Sequence, residues 1–116
     1  MMTVKRIALL ILLTLALQAG DNYIRIEFPN GGEVMQAGSQ VRIKWRSLGA
    51  NGNVAILLFK SGEQYTIIAE SVANNGAYEW QIAAAMPDSG QYRLRICLLK
   101  DLRVNDFSDR DFAIKK

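Results

Sequence analysis

Histidine is absent from this 116-residue chain, and cysteine occurs only once, as Cys97. Without histidine there is no Ser-His-Asp or Cys-His nucleophile pair and no histidine general base near neutral pH. One cysteine excludes an internal disulfide, a CxxC redox pair and a tetrahedral zinc site. Half of the residues are hydrophobic, which suffices for one core, and we expect a single domain.

The N-terminal segment carries the three parts of a secretory signal peptide. Lys5 and Arg6 form a basic start, 7–17 is an almost unbroken apolar run, and Ala19 and Gly20 form a small-residue exit. The apolar stretch is shorter than the about 20 residues that a membrane-spanning helix needs. We therefore predict cleavage near Ala19 or Gly20, with a retained membrane anchor as the alternative.

Removal of this segment changes the charge of the protein. It leaves 12 basic against 11 acidic residues, so the formal net charge falls from +3 to +1. A nucleic-acid binder needs a concentrated basic footprint, which a nearly neutral chain lacks. We therefore expect no nucleic-acid partner, and contact with a membrane only through an uncleaved signal segment.

The rest of the chain, 21–116, has the pattern of β-strands. Seven segments are strand-like: 23–28, 40–47, 54–59, 65–70, 77–82, 91–99 and 111–115. A two-residue period places apolar side chains on one face of a strand. The segment 54–59 is apolar on both faces, and we place Val54, Ile56 and Leu58 inward. Because Asn, Gly and Pro punctuate these segments, we predict an antiparallel two-sheet sandwich of seven or eight strands.

Three aromatic residues sharpen this prediction. Trp45 and Trp80 fall at inward positions, where they fill much of a thin core. Tyr92 follows Asp88-Ser89-Gly90 and fits a tyrosine corner, in which the phenol binds nearby upstream backbone. The alternative is that Tyr92 is one more half-buried aromatic residue.

The opening of this segment resembles a known family. Residues 28–45, FPNGGEVMQAGSQVRIKW, are similar to its pattern of a strand, P-N-G-G-E-x-W-x-A-G, and alternating apolar residues ending in I-x-W. The segments 74–80, 89–96 and 107–114 also match in order, so the resemblance covers about 24–114. The family is the Ser/Thr-rich GPI-anchored, yeast cell-wall glucan-synthesis (Kre9/Knh1-like) N-terminal domain, which also occurs in bacterial and archaeal surface proteins.

The resemblance implies an immunoglobulin- or fibronectin-III-like β-sandwich at the cell surface, and it implies no catalytic motif. Met35 stands where the family usually has tryptophan, a change that a core tolerates because methionine fills irregular space. The predicted organisation is a signal peptide over 1–20 and an Ig-like sandwich over 21–116.

An acidic segment near the C-terminus is a weak candidate for a calcium site, because Ca²⁺ prefers oxygen ligands. Its candidate ligands are Asp101, Asn105, Asp106, Asp109 and Asp111. Arg103 and Arg110 interrupt this loop, and its spacing is not that of an EF-hand, so we favour solvated carboxylates and predict no metal.

One strand carries a row of basic side chains, Arg42, Lys44 and Arg46. Such a row is able to meet an anionic polymer. We favour a solvated sheet face instead, with cross-strand partners such as Glu27 and Glu79.

The outer face of the sheet that contains 54–59, 91–99 and 111–115 is the candidate partner surface. It is expected to display Ala55, Leu57, Phe59, Arg93, Arg95, Cys97, Leu99 and Ala113. An apolar patch edged by arginine has the composition of a protein interface. The residues predicted to bind a partner are Leu57, Phe59, Arg93, Arg95 and Leu99. The alternative, which the sequence leaves open, is that a 102–108 loop or the C-terminal tail covers this face.

We expect a non-catalytic, exported cell-surface or periplasmic module without a cofactor. Its expected partner is another surface protein or cell-wall polysaccharide, and a homo-oligomer is possible. The alternatives are a small carbohydrate-binding domain, with Tyr23, Tyr65 and Phe107 as exposed rings, and a structural subunit that assembles through sheet edges. Glycoside hydrolysis is not expected, because it needs two acids in a cleft that a lone small sandwich does not provide.

Overall fold

The computed structural model describes residues 22–116, so the predicted signal peptide lies outside the described residues. The described part forms these strands: β1 (Tyr23–Phe28), β2 (Val34–Gln36), β3 (Gln40–Leu48), β4 (Asn53–Lys60), β5 (Glu63–Ala73), β6 (Ala77–Gln81), β7 (Ser89–Leu98), β8 (Asp101–Phe107) and β9 (Phe112–Lys115). The first sheet has the order β1-β3-β6. The second has the order β2-β9-β7-β4-β5, with β8 paired to β7. The predicted all-β, Ig-like sandwich is confirmed.

All seven predicted strand segments are strands, and two further strands were not predicted. β2 is short and pairs in parallel with β9, whereas the other pairs are antiparallel. β8 occupies the segment that we expected to be a loop, and it pairs with β7 from Arg95 to Leu98. The loop prediction was wrong because paired backbone, rather than side-chain polarity, decides whether a chain segment forms an edge strand.

The core lies between the two sheets and confirms the predicted facing of the strands. Val54, Ile56 and Leu58 are fully buried, and Trp45 and Trp80 are also in the core. The indole Nε1 of Trp45 donates a hydrogen bond to Asn74 Oδ1 at 2.7 Å, so the polar atom of this buried ring has a partner.

The start of β7 is fixed by the predicted tyrosine corner. The hydroxyl of the fully buried Tyr92 donates a hydrogen bond to the carbonyl oxygen of Pro87 at 2.6 Å. Tyr92 also stacks against Phe112 of β9, with the ring centroids 6.2 Å apart. The corner therefore ties the turn before β7 to the core that β7 and β9 share.

The sandwich is joined along one side by a hydrogen bond between the sheets. The backbone N–H of Ile26 on β1 donates to the Asp106 carboxylate on β8 at 2.8 Å. Burial raises the pKa of the Asp106 carboxyl, and this backbone hydrogen bond opposes the rise. No helix in residues 22–116 has the length and apolarity to cross a membrane.

Candidate interaction surface

The surface is built by strand register. In β4, the inward side chains alternate with outward Leu57 and Phe59, and β7 alternates in the same way. Leu57 lies opposite Arg95, and Phe59 lies opposite Arg93. Phe107 of β8 lies opposite Arg95 on the other side. We use the name outer face for the five residues Leu57, Phe59, Arg93, Arg95 and Phe107.

An aromatic pair forms the centre of the outer face. The rings of Phe59 and Phe107 meet edge to face, with centroids 5.0 Å apart and planes at 72°. The guanidinium carbon of Arg95 lies 5.5 Å from the centroid of the Phe107 ring. Phe107 remains 40% exposed. Two rings and an arginine from three adjacent strands thus form one contiguous patch.

The predicted neighbours of this face are confirmed, since β7 lies between β4 and β9. The proposed cover by a 102–108 loop is wrong. Instead, that segment is mainly strand β8, which lies beside β7 and adds Phe107 to the patch. The alternation of Leu102 and Val104 with polar residues was the signal that the sequence offered for a strand, although Phe107 falls out of phase with it.

Of the two arginines on the outer face, Arg93 forms an ion pair within the part of the chain that the structure describes and Arg95 does not. Arg93 Nε donates to the Asp111 carboxylate at 2.7 Å, and both side chains are partly exposed. Arg95 Nε donates to the amide oxygen of Asn105 at 3.2 Å. A shallow depression of about 530 Å³ lies beside Phe59, between this ion pair and Phe107. Within residues 22–116, Arg95 has no carboxylate within 4 Å.

The remaining residues predicted for this face have different positions. Ala55 and Cys97 lie opposite each other and are buried, so their side chains are not available to a partner. Leu99 is exposed but lies in the turn after β7, at the other end of the strand from Arg93. Ile67 of β5, which the sequence analysis did not include, lies opposite Leu57 and is 47% exposed.

The acidic segment is dispersed over several contacts. Asp101 binds the exposed Arg103, whose hydrogen bond lowers the pKa of that carboxyl. Asp106 accepts from backbone, and Asp111 binds Arg93. The Asp109 carboxylate accepts from the amide of Asn30 at 3.0 Å. Among the described residues, no three acidic or sulfur ligands are arranged to hold a metal ion.

The basic row on β3 has one of its expected partners. Arg42 Nε lies 2.5 Å from the Glu79 carboxylate, and the hydrogen bonds from Arg42 and Gln40 lower the pKa of Glu79. Within the described chain, neither Lys44 nor Arg46 forms an ion pair. The expectation that Glu27 pairs with this row was therefore wrong.

The P-N-G-G-E motif has a structural role. The Glu33 carboxylate accepts the backbone N–H groups of Asn30 at 2.9 Å and Gly31 at 2.7 Å. The Asn30 side-chain oxygen accepts from Asp109 N at 2.8 Å, and its carbonyl accepts from Arg110 N at 3.0 Å. The motif therefore fastens the turn after β1 to the connection between β8 and β9.

Two facing sheets and a tyrosine corner define an immunoglobulin-like β-sandwich module. The family model of the Kre9/KNH-like N-terminal Ig-like domain matches residues 28–113. The chain belongs to this family, which confirms the resemblance.

A more distant similarity is found to a solved structure of the fibronectin(III)-like modules of Clostridium thermocellum CbhA. The identity is 15% and the TM-score is 0.48, with 79% of this chain and 94% of that chain covered. No curated protein matches this sequence.

Proposed function

We propose that this protein is an exported, non-catalytic module that binds another cell-surface or periplasmic protein through its outer face. The observation that carries the proposal is the Phe59–Phe107 pair, in which Phe107 is exposed and Phe59 is half-buried, with Arg95 over the Phe107 ring. Membership in an Ig-like domain family supports the non-catalytic part of the proposal, since such families are generally non-catalytic. The signal-like segment over 1–20 supports export.

The chemistry of the outer face suits a protein partner. Phenylalanine and arginine are enriched in interfaces, and the residues that contribute most binding energy are large side chains near the centre of a patch. Arg95 is half-buried and is already packed on Phe107, so little of its conformational freedom remains to be lost on binding. Its partner in the chain is the neutral Asn105, which leaves the guanidinium charge available to a carboxylate of the bound protein.

The proposal is tested by site-specific photocrosslinking in producing cells. A photoreactive amino acid replaces Leu57 on the outer face, and the matched control places it at the exposed Gln81 on the first sheet. We expect a discrete protein adduct from position 57 and none of that mass from position 81. Adducts of equal intensity at both positions would contradict the proposal.

The same measurement separates the alternatives. An adduct at twice the mass of the chain identifies a second copy and rules out a different protein as the partner. If the position 57 variant forms no protein adduct, and a separate pull-down shows that immobilised polysaccharide retains the protein, the result favours a carbohydrate-binding domain. Each of these two results rejects the proposed function in a different way.

A further inference from the structure

The two sides of the sandwich differ in how the sheets meet. On one side, the hydrogen bond from Ile26 N to the Asp106 carboxylate joins β1 to β8. On the other side, β6 ends the first sheet and β5 ends the second, and within residues 22–116 these two edge strands do not pair with each other. A groove of about 490 Å³ lies between them. We use the name side groove for this space.

The side groove is lined mainly by apolar and aromatic side chains. Tyr78 and Trp80 of β6 lie along one wall, and β5 forms the other. Glu79 is the charged residue among the lining residues, and it is ion-paired with Arg42. The groove therefore fits uncharged, apolar side chains.

The irregular register of β5 directs two side chains to the side groove. The pairing of β5 with β4 passes over Tyr65 and Ile68, which are the extra residues of two β-bulges. A bulge turns a side chain out of the regular alternation of its strand. Both side chains line the groove, where Tyr65 is 47% exposed and Ile68 is half-buried. β5 thus offers an apolar surface that β6 leaves partly uncovered.

The backbone of β6 directs hydrogen-bonding groups to the open edge of the first sheet. The even-numbered residues of this segment bond to β3, as the hydrogen bond from Trp45 N to Gly76 O at 3.0 Å shows at one end of the pairing. Hydrogen-bonded and non-hydrogen-bonded pairs alternate along an antiparallel ladder. The N–H and C=O groups of Glu79 and Gln81 therefore point away from β3, to the edge at which the first sheet ends in the described chain.

The side groove suits one added strand rather than the edge of a second sandwich. A strand that pairs with β6 lies over Tyr65 and Ile68 of β5. A second copy that paired through its own β6 would bring its second sheet to the place that β5 already occupies. β5 itself is a poor template for edge pairing, because bulges interrupt its ladder.

We propose that β6 binds an extended peptide segment of a partner protein, which adds a fourth strand to the three-stranded first sheet. The segment runs antiparallel to β6, which is the more stable arrangement, and exchanges backbone hydrogen bonds with Glu79 and Gln81. Its alternate apolar side chains enter the side groove between Trp80 and Tyr65. In such strand addition, main-chain hydrogen bonds give affinity and the pockets for alternate side chains give specificity.

This site is separate from the surface of the proposed function. None of the five residues of the outer face lines the side groove. The inference therefore does not depend on the partner proposed for that face.

The test uses a short synthetic peptide of alternating valine and threonine, with a lysine at each end for solubility. With the valines in the groove, the threonine N–H groups face β6 and the valine N–H groups face away. We expect the peptide to slow amide hydrogen exchange at Glu79 and Gln81, followed by NMR. A peptide N-methylated at its threonines should bind at least about tenfold more weakly, because its hydrogen bonds to β6 are lost, and one N-methylated at its valines should bind as the unmodified peptide does.

A pair of protein variants tests the same contact from the side of β6. E79P removes the N–H group at the open edge, where proline is tolerated because this group is not part of the ladder with β3. E79Q is the matched control, because it loses the same carboxylate and keeps the N–H group. We expect E79P to bind the peptide at least about tenfold more weakly than E79Q does, and E79Q to bind as the wild type does. Thermal unfolding compares the folds of the two variants.

Four outcomes would overturn the inference. Equal affinities of E79P and E79Q, or of the two methylated peptides, would show that the groove takes apolar side chains without strand addition. A wild type that does not bind the peptide also refutes the site, since backbone pairing makes few demands on side-chain identity. A dimer of the protein alone that E79P abolishes would show that the occupant is a second copy. If E79P does not fold, the comparison of the methylated peptides decides the question.

Discussion

The guanidinium group of Arg95 lies over the ring of Phe107, with its central carbon 5.5 Å from the ring centroid. This contact joins the middle of β7 to the end of β8, and Phe59 meets the same ring edge to face. A partly exposed contact of this kind contributes only about 0.5–1 kcal/mol to folding. Its main effect is to hold an arginine and two rings in one fixed arrangement on the surface.

The two faces of the second sheet are expected to differ sharply in their effect on stability. Replacement of the fully buried Leu58 by alanine should lower the free energy of unfolding by about 2–5 kcal/mol, because it leaves a cavity. Phe107→Ser should cost about 1 kcal/mol or less, since the ring is 40% exposed. Urea unfolding monitored by tryptophan fluorescence measures both. Similar costs for the two variants would mean that the outer face is part of the core.

The tyrosine corner should make a measurable contribution to stability through its hydroxyl group. Tyr92→Phe removes the hydrogen bond to Pro87 and leaves that carbonyl without the buried donor, so we expect a loss of about 1–2 kcal/mol. Tyr65→Phe is the matched control, because Tyr65 is 47% exposed and its ring contact with Tyr92 does not need the hydroxyl. A loss from Tyr65→Phe equal to that from Tyr92→Phe would contradict the assignment of the corner.

The two glycines of the P-N-G-G-E motif should respond differently to alanine. At Gly31, which has a φ of +148°, an added Cβ would lie 2.7 Å from Arg110 Cβ. At Gly32, with a φ of +83°, an added Cβ meets nothing within 4 Å. Gly32→Ala should therefore cost about 1–2 kcal/mol from backbone strain, and Gly31→Ala more, since overpacking is added. Thermal unfolding of the two variants gives the order, and the reverse order would refute the role proposed for the motif.

Asp106 should make the stability of the protein depend on pH. Because burial raises its pKa, the folded protein holds this proton to a higher pH than the unfolded chain does. Relative to Asp106→Asn, the wild type should therefore gain stability as the pH falls through the raised pKa toward the ordinary value of about 3.9, and lose that gain as the pH rises. Urea unfolding of both proteins between pH 7 and pH 4, a range chosen around the ordinary value, measures this difference.

A second variant at this position separates the charge from the hydrogen bond. Asp106→Asn keeps an oxygen that is able to accept from Ile26 N, whereas Asp106→Ala leaves that N–H without its acceptor. We expect Asp106→Ala to be destabilised by about 1–3 kcal/mol at pH 7 and Asp106→Asn to be close to the wild type. Equal stability of the two variants would show that the hydrogen bond between the sheets contributes nothing.

The fold was predictable from the sequence because its core strands have one buried face and one solvent-exposed face. The two-residue alternation around Trp45 and Trp80 has only one arrangement that buries both rings, and both are buried. The tyrosine corner was also predictable, because a local turn fixes where the phenol lies. β2 was not, since three residues are too few to show a period. β8 was missed because its charges suggested a loop, although its backbone pairs with β7.

Only part of the candidate surface was predictable. Leu57, Phe59, Arg93 and Arg95 follow from alternation on adjacent strands, and the structure brings them together. Phe107 joins them through the pairing of β8 with β7, whose register shifts between Cys97 and Leu98 in a way that the pattern of neither segment shows. The direction of the Glu79 backbone groups likewise depends on the register between β3 and β6. Register is a property of the assembled sheet, so single-strand patterns do not give it.

The most direct test of the central claim is the amount of the Leu57 photoadduct formed when the aromatic pair is altered. Phe59→Gln/Phe107→Gln removes both rings without adding charge, and Tyr23→Gln/Phe28→Gln changes two rings on the other sheet as the control. With both variants folded, as shown by circular dichroism, we predict that the first loses most of the adduct and that the control keeps it. An undiminished adduct in Phe59→Gln/Phe107→Gln would contradict the claim that the outer face is the contact surface.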